Sequence, residues 1–390
     1  MAARSPRLDA LRGIAVFGIL LVNVWSFIYG NQHPRFGVLD ATAGMAERSI
    51  VFLVAAFAEQ KFYPIFAFLF GAGFALQTGG PCAPGAALDQ VKQRYQRRIR
   101  CLLGFGLIHG MLLWYGDILT AYALTAFWLA GKAGLRMRAL LSSLRNVLIV
   151  NVAVQVVLAL GVSAAIHLDA VEIDAGLLSG RSDFAVYTQG GWLDIARLRL
   201  SDYTSNLVGG ILFFPRLALL FLAGVFAVRL GWLTDPGRHR ALWRRVLGVA
   251  LVLGLPLNLW WGTVMLQMSV APQAPAPWSG LALFLIDLAG PCLAAGYVAL
   301  CMLGRGACFE RLAQVLAPVG RMALTNYLAQ TALCSVLLQG FGLGLGALLS
   351  HAQLLLLCLA IMLGQAGFSH WWLKRHAQGP MEALWRRYSG

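Results

Sequence analysis

Ten apolar stretches, each near the length a bilayer demands, succeed one another along the chain, with basic residues gathered at alternate ends of them. They cover roughly 9–30, 49–77, 97–115, 118–131, 146–168, 206–230, 246–268, 279–304, 316–342 and 351–373; the fourth is short enough to be tilted or incomplete. Hydrocarbon offers no partner to a free backbone amide, so such a chain has to cross the membrane as helices. Composition agrees. The protein is 59% hydrophobic and 12% charged, with a mean hydropathy of +0.70, whereas a soluble domain carries about 25% charged residues. The expected fold class is all-α: a polytopic membrane protein of about ten transmembrane helices. It forms a single domain over 1–390, with five-span halves at 1–168 and 206–390 around a loop at 169–205. The first stretch lacks a small-x-small exit and reads as an uncleaved span.

Charge placement sets orientation. The 31 lysines and arginines outnumber the 16 acids, but they sit at the ends of apolar runs rather than on one continuous face, which excludes a nucleic-acid partner. Most fall in alternate loops: Arg4 to Arg12, Lys92 to Arg100, Lys132 to Arg145, Arg229 to Arg245, Arg305 to Arg321 and Lys374 to Arg387. The positive-inside rule therefore puts both termini in the cytoplasm. On the opposite side, GGWLDIARLRLSDY reads as a short interfacial helix, either a lid over an outward-facing cavity or a plain connector. The loop 271–278, APQAPAPW, reads as a stiff spacer. Seven scattered cysteines, without C-x-x-C or zinc spacing, read as buried packing residues, and no metal is expected.

Polar groups inside the apolar runs are costly, and each one is a functional-site hypothesis. His109 lies near the middle of the third run, and Asp117 marks the Tyr115-Gly116-Asp117 turn beyond it. Glu59 and Lys61 interrupt the second run, Arg216 the sixth and Asp287 the eighth; Asn23 falls in the outer half of the first and Asn326 in the ninth. Their depths are compatible, so they are expected to meet in one chamber. An Arg216–Asp287 ion pair is the bland alternative for those two. Histidine has the pKa for proton transfer near neutrality, and Asp117 at the head of a span is also a natural helix cap. In one continuous helix, eight residues separate His109 from Asp117 by about 12 Å; only a bound molecule, water or a bend at Gly116 connects them. Asn326 and Gln330, four residues apart, share a helix face with Tyr327 beside them, suited equally to ligand contact and to helix–helix bonding. His33 reads as solvated.

RLDALRGIAVFGILLVN, KFYPIFAFLFGAGFAL, LIHGMLLWYGDILTAYAL, GRMALTNYLAQ and the terminal QGPMEALWR resemble, in order and from end to end, the YeiB-like family of bacterial inner-membrane proteins. The opening Leu-Arg-Gly-Ile-Ala, with a polar residue eleven positions after Arg12, is more distantly similar to multi-span membrane acyltransferases, the sugar O-acyltransferases and heparan glucosaminide N-acetyltransferase among them. That similarity implies transfer of an acyl group from cytoplasmic acyl-CoA, such as acetyl-CoA, to an acceptor at or across the membrane. The polar position is histidine in the sugar enzymes and Asn23 here; in the glucosaminide type it is asparagine, with the key histidine in the following loop, near the place of His33.

Three functions are in view. As an acyltransferase, the protein would hold acyl-CoA phosphates with Arg12 and the basic loops. His109 would serve as general base, and Asn23 and Asn326 would position the acyl carbonyl. As a proton-linked transporter of a small metabolite or lipid-like molecule, it would use Glu59, Lys61, His109 and Asp287 as a relay. As a non-catalytic protein, it would bind a membrane lipid or quinone.

Overall fold

The computed structural model describes residues 5–31, 35–39, 42–78, 86–167, 181–270 and 279–389. Every regular element among them is helical. The first half contains α1 (Pro6–Asn23), α2 (Ser26–Tyr29), α3 (Met45–Phe57), α4 (Phe62–Thr78), α5 (Ala86–Ile108), α6 (Leu119–Ala130) and α7 (Met137–His167). The second contains α8 (Arg181–Gln189), α9 (Trp192–Arg229), α10 (Arg240–Val249), α11 (Leu255–Val270), α12 (Ser279–Leu303), α13 (Ala307–Arg321), α14 (Ala323–Leu338), α15 (His351–Leu373) and α16 (Pro380–Ser389). Short π-helical segments extend α5 over His109–Leu113 and join α10 to α11 over Ala250–Gly254.

Among the described residues, seven helical segments are long and apolar enough to cross a membrane: Pro6–Tyr29, Met45–Thr78, Met137–Ala164, Trp192–Arg229, Arg240–Val270, Gly280–Leu303 and His351–Leu373. The other expected spans take different forms. The twelve residues of α6 rise only about 18 Å, short of a hydrocarbon core about 30 Å thick. The stretch at 316–342 divides at Met322, so that amphipathic α13 precedes a 16-residue apolar α14. The expected interfacial helix after Gly191 has no existence of its own, because α9 runs unbroken for 38 residues through it and into the sixth span. His33 and the loop 271–278 lie outside the described residues.

The apolar runs are interrupted within the second span and again at the turn between the third and fourth. The second span stops at Phe57 and restarts at Phe62, with Gln60 in the left-handed region at φ +62. Broken backbone at membrane depth persists only if its freed groups find partners, and here side chains supply them. Lys61 Nζ donates to the Ala55 carbonyl at 2.9 Å and the Tyr297 hydroxyl to the Phe57 carbonyl at 2.9 Å. The other break, at 114–118, shapes the site described below.

Small residues let the helices meet backbone to backbone, the packing that membranes favour. Gly71 of α4 lies on the Phe221 carbonyl of α9 while Gly224 of α9 lies on that of Phe68; Gly13 of α1 and Gly320 of α13 make the same reciprocal contact with Leu316 and Asp9. The N-terminal helix is thus seated against the C-terminal half, and the buried core draws on both halves. Cys301, Cys334 and Cys358 are buried in it as expected, whereas Cys308, at the head of α13, is exposed.

Candidate functional site

Two cavities approach each other inside the bundle. The larger, about 910 Å³, lies at the basic end, where the start of α1 and the C-terminal α16 come together. Arg7, Arg12, Arg98, Arg321 and Arg386 line it, against Asp9 and Glu382. Arg12 donates to Asp9 at 2.8 Å, and Arg7 lies 3.4 Å from Glu310. The Glu382 carboxylate accepts from the Leu324 and Thr325 amides at 2.8 and 3.2 Å, which seats α16 on the N-terminus of α14 as helix electrostatics favour. Of the residues expected to bind ligand, Arg12 alone reaches this cavity. Arg98, Arg321 and Arg386 join it, and their appearance in separate basic loops concealed that they converge.

A second cavity, about 440 Å³, occupies the opposite half of the bundle. Asn23, Ser26, Asn31, Gln60, Tyr63 and Asn206 give it a polar lining, together with Arg35 and Arg216. Both guanidiniums are matched by carboxylates. Arg216 is ion-paired with Asp287 and lies 3.4 Å from the Tyr63 hydroxyl, and Arg35 is 3.5 Å from Glu59. The first cavity is therefore cationic and the second close to neutral.

Ile19, Ile118 and Tyr327 line both cavities and separate them. Behind this septum lies His109, which is 1% exposed. A direct His109–Asp117 bond, ruled out for a continuous helix, forms because the helix is not continuous. After the π segment the chain turns at Trp114 to Asp117 and re-enters as α6, bringing Asp117 Oδ1 to 2.9 Å from His109 Nδ1. Asp117 also accepts from the Leu119 and Thr120 amides at 3.1 and 2.8 Å, capping α6. The carbonyls of Leu112 and Leu113 are met by Arg199 and by Ser335, the latter at 3.3 Å. Gly106 makes the fold-back possible, since a Cβ there would lie 2.5 Å from the Thr120 amide nitrogen.

The other histidine nitrogen, Nε2, lies 2.9 Å from the Thr331 hydroxyl of α14. Asp117, His109 and Thr331 thus form a buried chain, with the Tyr327 ring 5.0 Å from the imidazole and covering it on the cavity side. Thr331 was not among the expected site residues, and Tyr327 was noted only beside Asn326 and Gln330, on a face suited equally to ligand contact and to helix–helix bonding. The signal for them was the four-residue spacing in TNYLAQT, one turn of helix, which points both side chains toward the same neighbour.

The expected single chamber resolves into separate environments. Glu59 accepts from the Trp261 indole at 2.8 Å, and Lys61 is wholly buried, donating to the Ala55 carbonyl in the last turn of α3. Asn326 donates to the Val319 carbonyl at 3.1 Å and to Ser369 at 3.0 Å, while Gln330 donates to Gln365 at 2.9 Å, so this pair ties α14 to α15. Asn23 faces the neutral cavity, with Asp287 close by through Arg216. Outside the spans, burial and then the Asp202 carboxylate push the Tyr187 phenol far above its ordinary range, and it donates to Asp202 at 2.8 Å.

Residues 227–390 match the family model described as a protein of unknown function (DUF418). Over 409 residues the chain is 31% identical to "Uncharacterized protein YeiB" of Escherichia coli (strain K12), covering 98% of this chain and 96% of that protein. It is 29% identical over 397 residues to "Uncharacterized protein YxaH" of Bacillus subtilis (strain 168), covering 97% and 92%. No solved structure matches it.

Proposed function

The chain belongs to the YeiB-like (DUF418) family, and from that footing we propose that it is a membrane acyltransferase that takes an acyl group at its basic cavity and delivers it to an acceptor in the neutral one. The carrying observation is the pair of cavities, one cationic and one close to neutral, three side chains apart. The protein would sit in the bacterial inner membrane with its basic end and both termini in the cytoplasm. Five guanidiniums around about 910 Å³ fit the phosphates of an acyl-CoA, which when bound supplies an activated thioester. Arg98, Arg321 and Arg386 would hold the anionic donor, with Arg12 braced by Asp9. Asn23, Gln60 and Tyr63 would orient a neutral acceptor carrying a hydroxyl or amine. His109, held by Asp117 in the Nδ1–H tautomer, has an Nε2 able to take the acceptor's proton once the Thr331 hydroxyl releases it and the Tyr327 ring swings aside.

Transport is the second reading, favoured by the second span, broken at 58–61 where Gln60 lines the neutral cavity, a construction found around the sites of many transporters. The proton relay it calls for is not continuous in this structure, because Glu59 and Lys61 are bonded away from His109.

The deciding experiment reconstitutes the protein in vesicles with radiolabelled acetyl-CoA outside and a membrane extract as acceptor. Labelled product, with CoA binding weakened at least about tenfold by Arg98→Ala combined with Arg321→Ala, is the expected result. Absence of both transfer and CoA binding, with solute flux driven by a pH gradient, would favour transport instead.

A further inference from the structure

Among the described residues only Ile19, Ile118 and Tyr327 face both cavities, and they come from three different elements: α1, the turn before α6, and α14. The Tyr327 hydroxyl is buried and completes no hydrogen bond of ordinary geometry; the Ile118 backbone amide is the polar group that acts on it. The ring is therefore held mainly by packing, and rotating it out of the septum gives up only the contact of its hydroxyl with the Ile118 backbone. The buried chain behind grips both sides of this closure. Asp117 caps the turn that carries Ile118. Thr331, engaged by His109 Nε2, lies 3.3 Å from the Tyr327 carbonyl, and the imidazole packs on the Tyr327 ring.

From this geometry we propose that Tyr327, with Ile19 and Ile118, is the constriction that selects what passes between the cavities, and that Asp117, His109 and Thr331 position it. A gap bounded by two aliphatic side chains and an aromatic ring rejects charged and hydrated groups and passes slender apolar ones. The phosphates of the donor stay in the basic cavity and the acceptor stays in the neutral one. Only a short, unbranched, uncharged acyl group fits between them. The chain-length clause rests on the acyltransferase reading; the barrier itself does not.

The test uses the full chain in vesicles with a pH-sensitive dye trapped inside, comparing the parent with Tyr327→Ala, Tyr327→Phe and Ile118→Ala, each first shown to be folded by its melting curve. Removing the ring joins the cavities, so Tyr327→Ala is expected to leak protons at least about tenfold faster than the parent, while Tyr327→Phe, which keeps the plug, stays as tight. Ile118→Ala opens the same gap from the other side and decides the matter if Tyr327→Ala does not fold. Offered acetyl-, butyryl- and octanoyl-CoA, Tyr327→Ala is expected to accept longer chains than the parent. Vesicles that stay tight with either folded alanine variant would overturn the constriction. A leak with an unchanged chain-length profile would overturn its selective role. Failure of every form, parent included, to transfer acyl groups would remove the acyltransferase reading, with the leak still deciding the barrier.

Discussion

His109 has both ring nitrogens engaged, by Asp117 and by Thr331, so removing it strands a carboxylate that is itself fully buried. His109→Ala is expected to lower stability by about 2–3 kcal/mol, and His109→Asn by less, because its amide can still donate to Asp117; melting curves in detergent would show the order. Arg216 and Asp287 offer a second test. Either Arg216→Met or Asp287→Leu alone leaves a charge unmatched inside the bundle, whereas the double variant leaves none, so the double is expected to melt closer to the parent than either single. At this scale the sequence was legible in part. An intramembrane histidine announces itself by its cost, and the Arg216–Asp287 pair followed from charge and depth. Asn326 carried the same cost and proved to be a helix tie, because one side chain's depth says nothing of the direction it faces.

The helices themselves were readable from apolar run length, and so was the turn at Tyr115-Gly116-Asp117 between the third and fourth runs, but the interruption of the second span was not. A run of sufficient length looks the same whether one helix or two half-helices cross with it, and the break at 58–61 showed only as Glu-Gln-Lys set in apolar surroundings. The turn before Asp117 is what lets it reach His109, since separation along a helix loses meaning where the helix ends. Gly106 is the hinge of that arrangement. Gly106→Leu would drive a side chain into Thr120 and Asp117 and is expected to lose about 1–3 kcal/mol. Limited proteolysis should then cut faster around Tyr115 and Gly116, where Asp117 no longer holds the turn.

Across the whole molecule, charge is distributed by cavity: five guanidiniums against the Asp9 and Glu382 carboxylates at the basic end, and two guanidiniums each ion-paired in the opposite half. Binding of CoA is therefore expected to weaken as ionic strength rises, since screening shortens to about 3 Å at 1 M salt, while a neutral ligand of the other cavity should be nearly indifferent; calorimetric titration at two salt concentrations separates them. The alternation of basic loops foretold which end would be cationic, but not that its arginines enclose a common space, which depends on how α1, α5, α13 and α16 converge. The thinness of the partition between the cavities also has an electrical meaning. With polar vestibules reaching in from either end, the insulating layer shrinks from the full bilayer to a few side chains, and nearly all of the membrane voltage drops there. A charge carried across would feel about 2.3 kcal/mol per 100 mV, and an uncharged acyl group would feel none. Turnover indifferent to an imposed potassium-diffusion potential is what acyl transfer requires, and turnover that tracks the potential is what proton-coupled traffic would give.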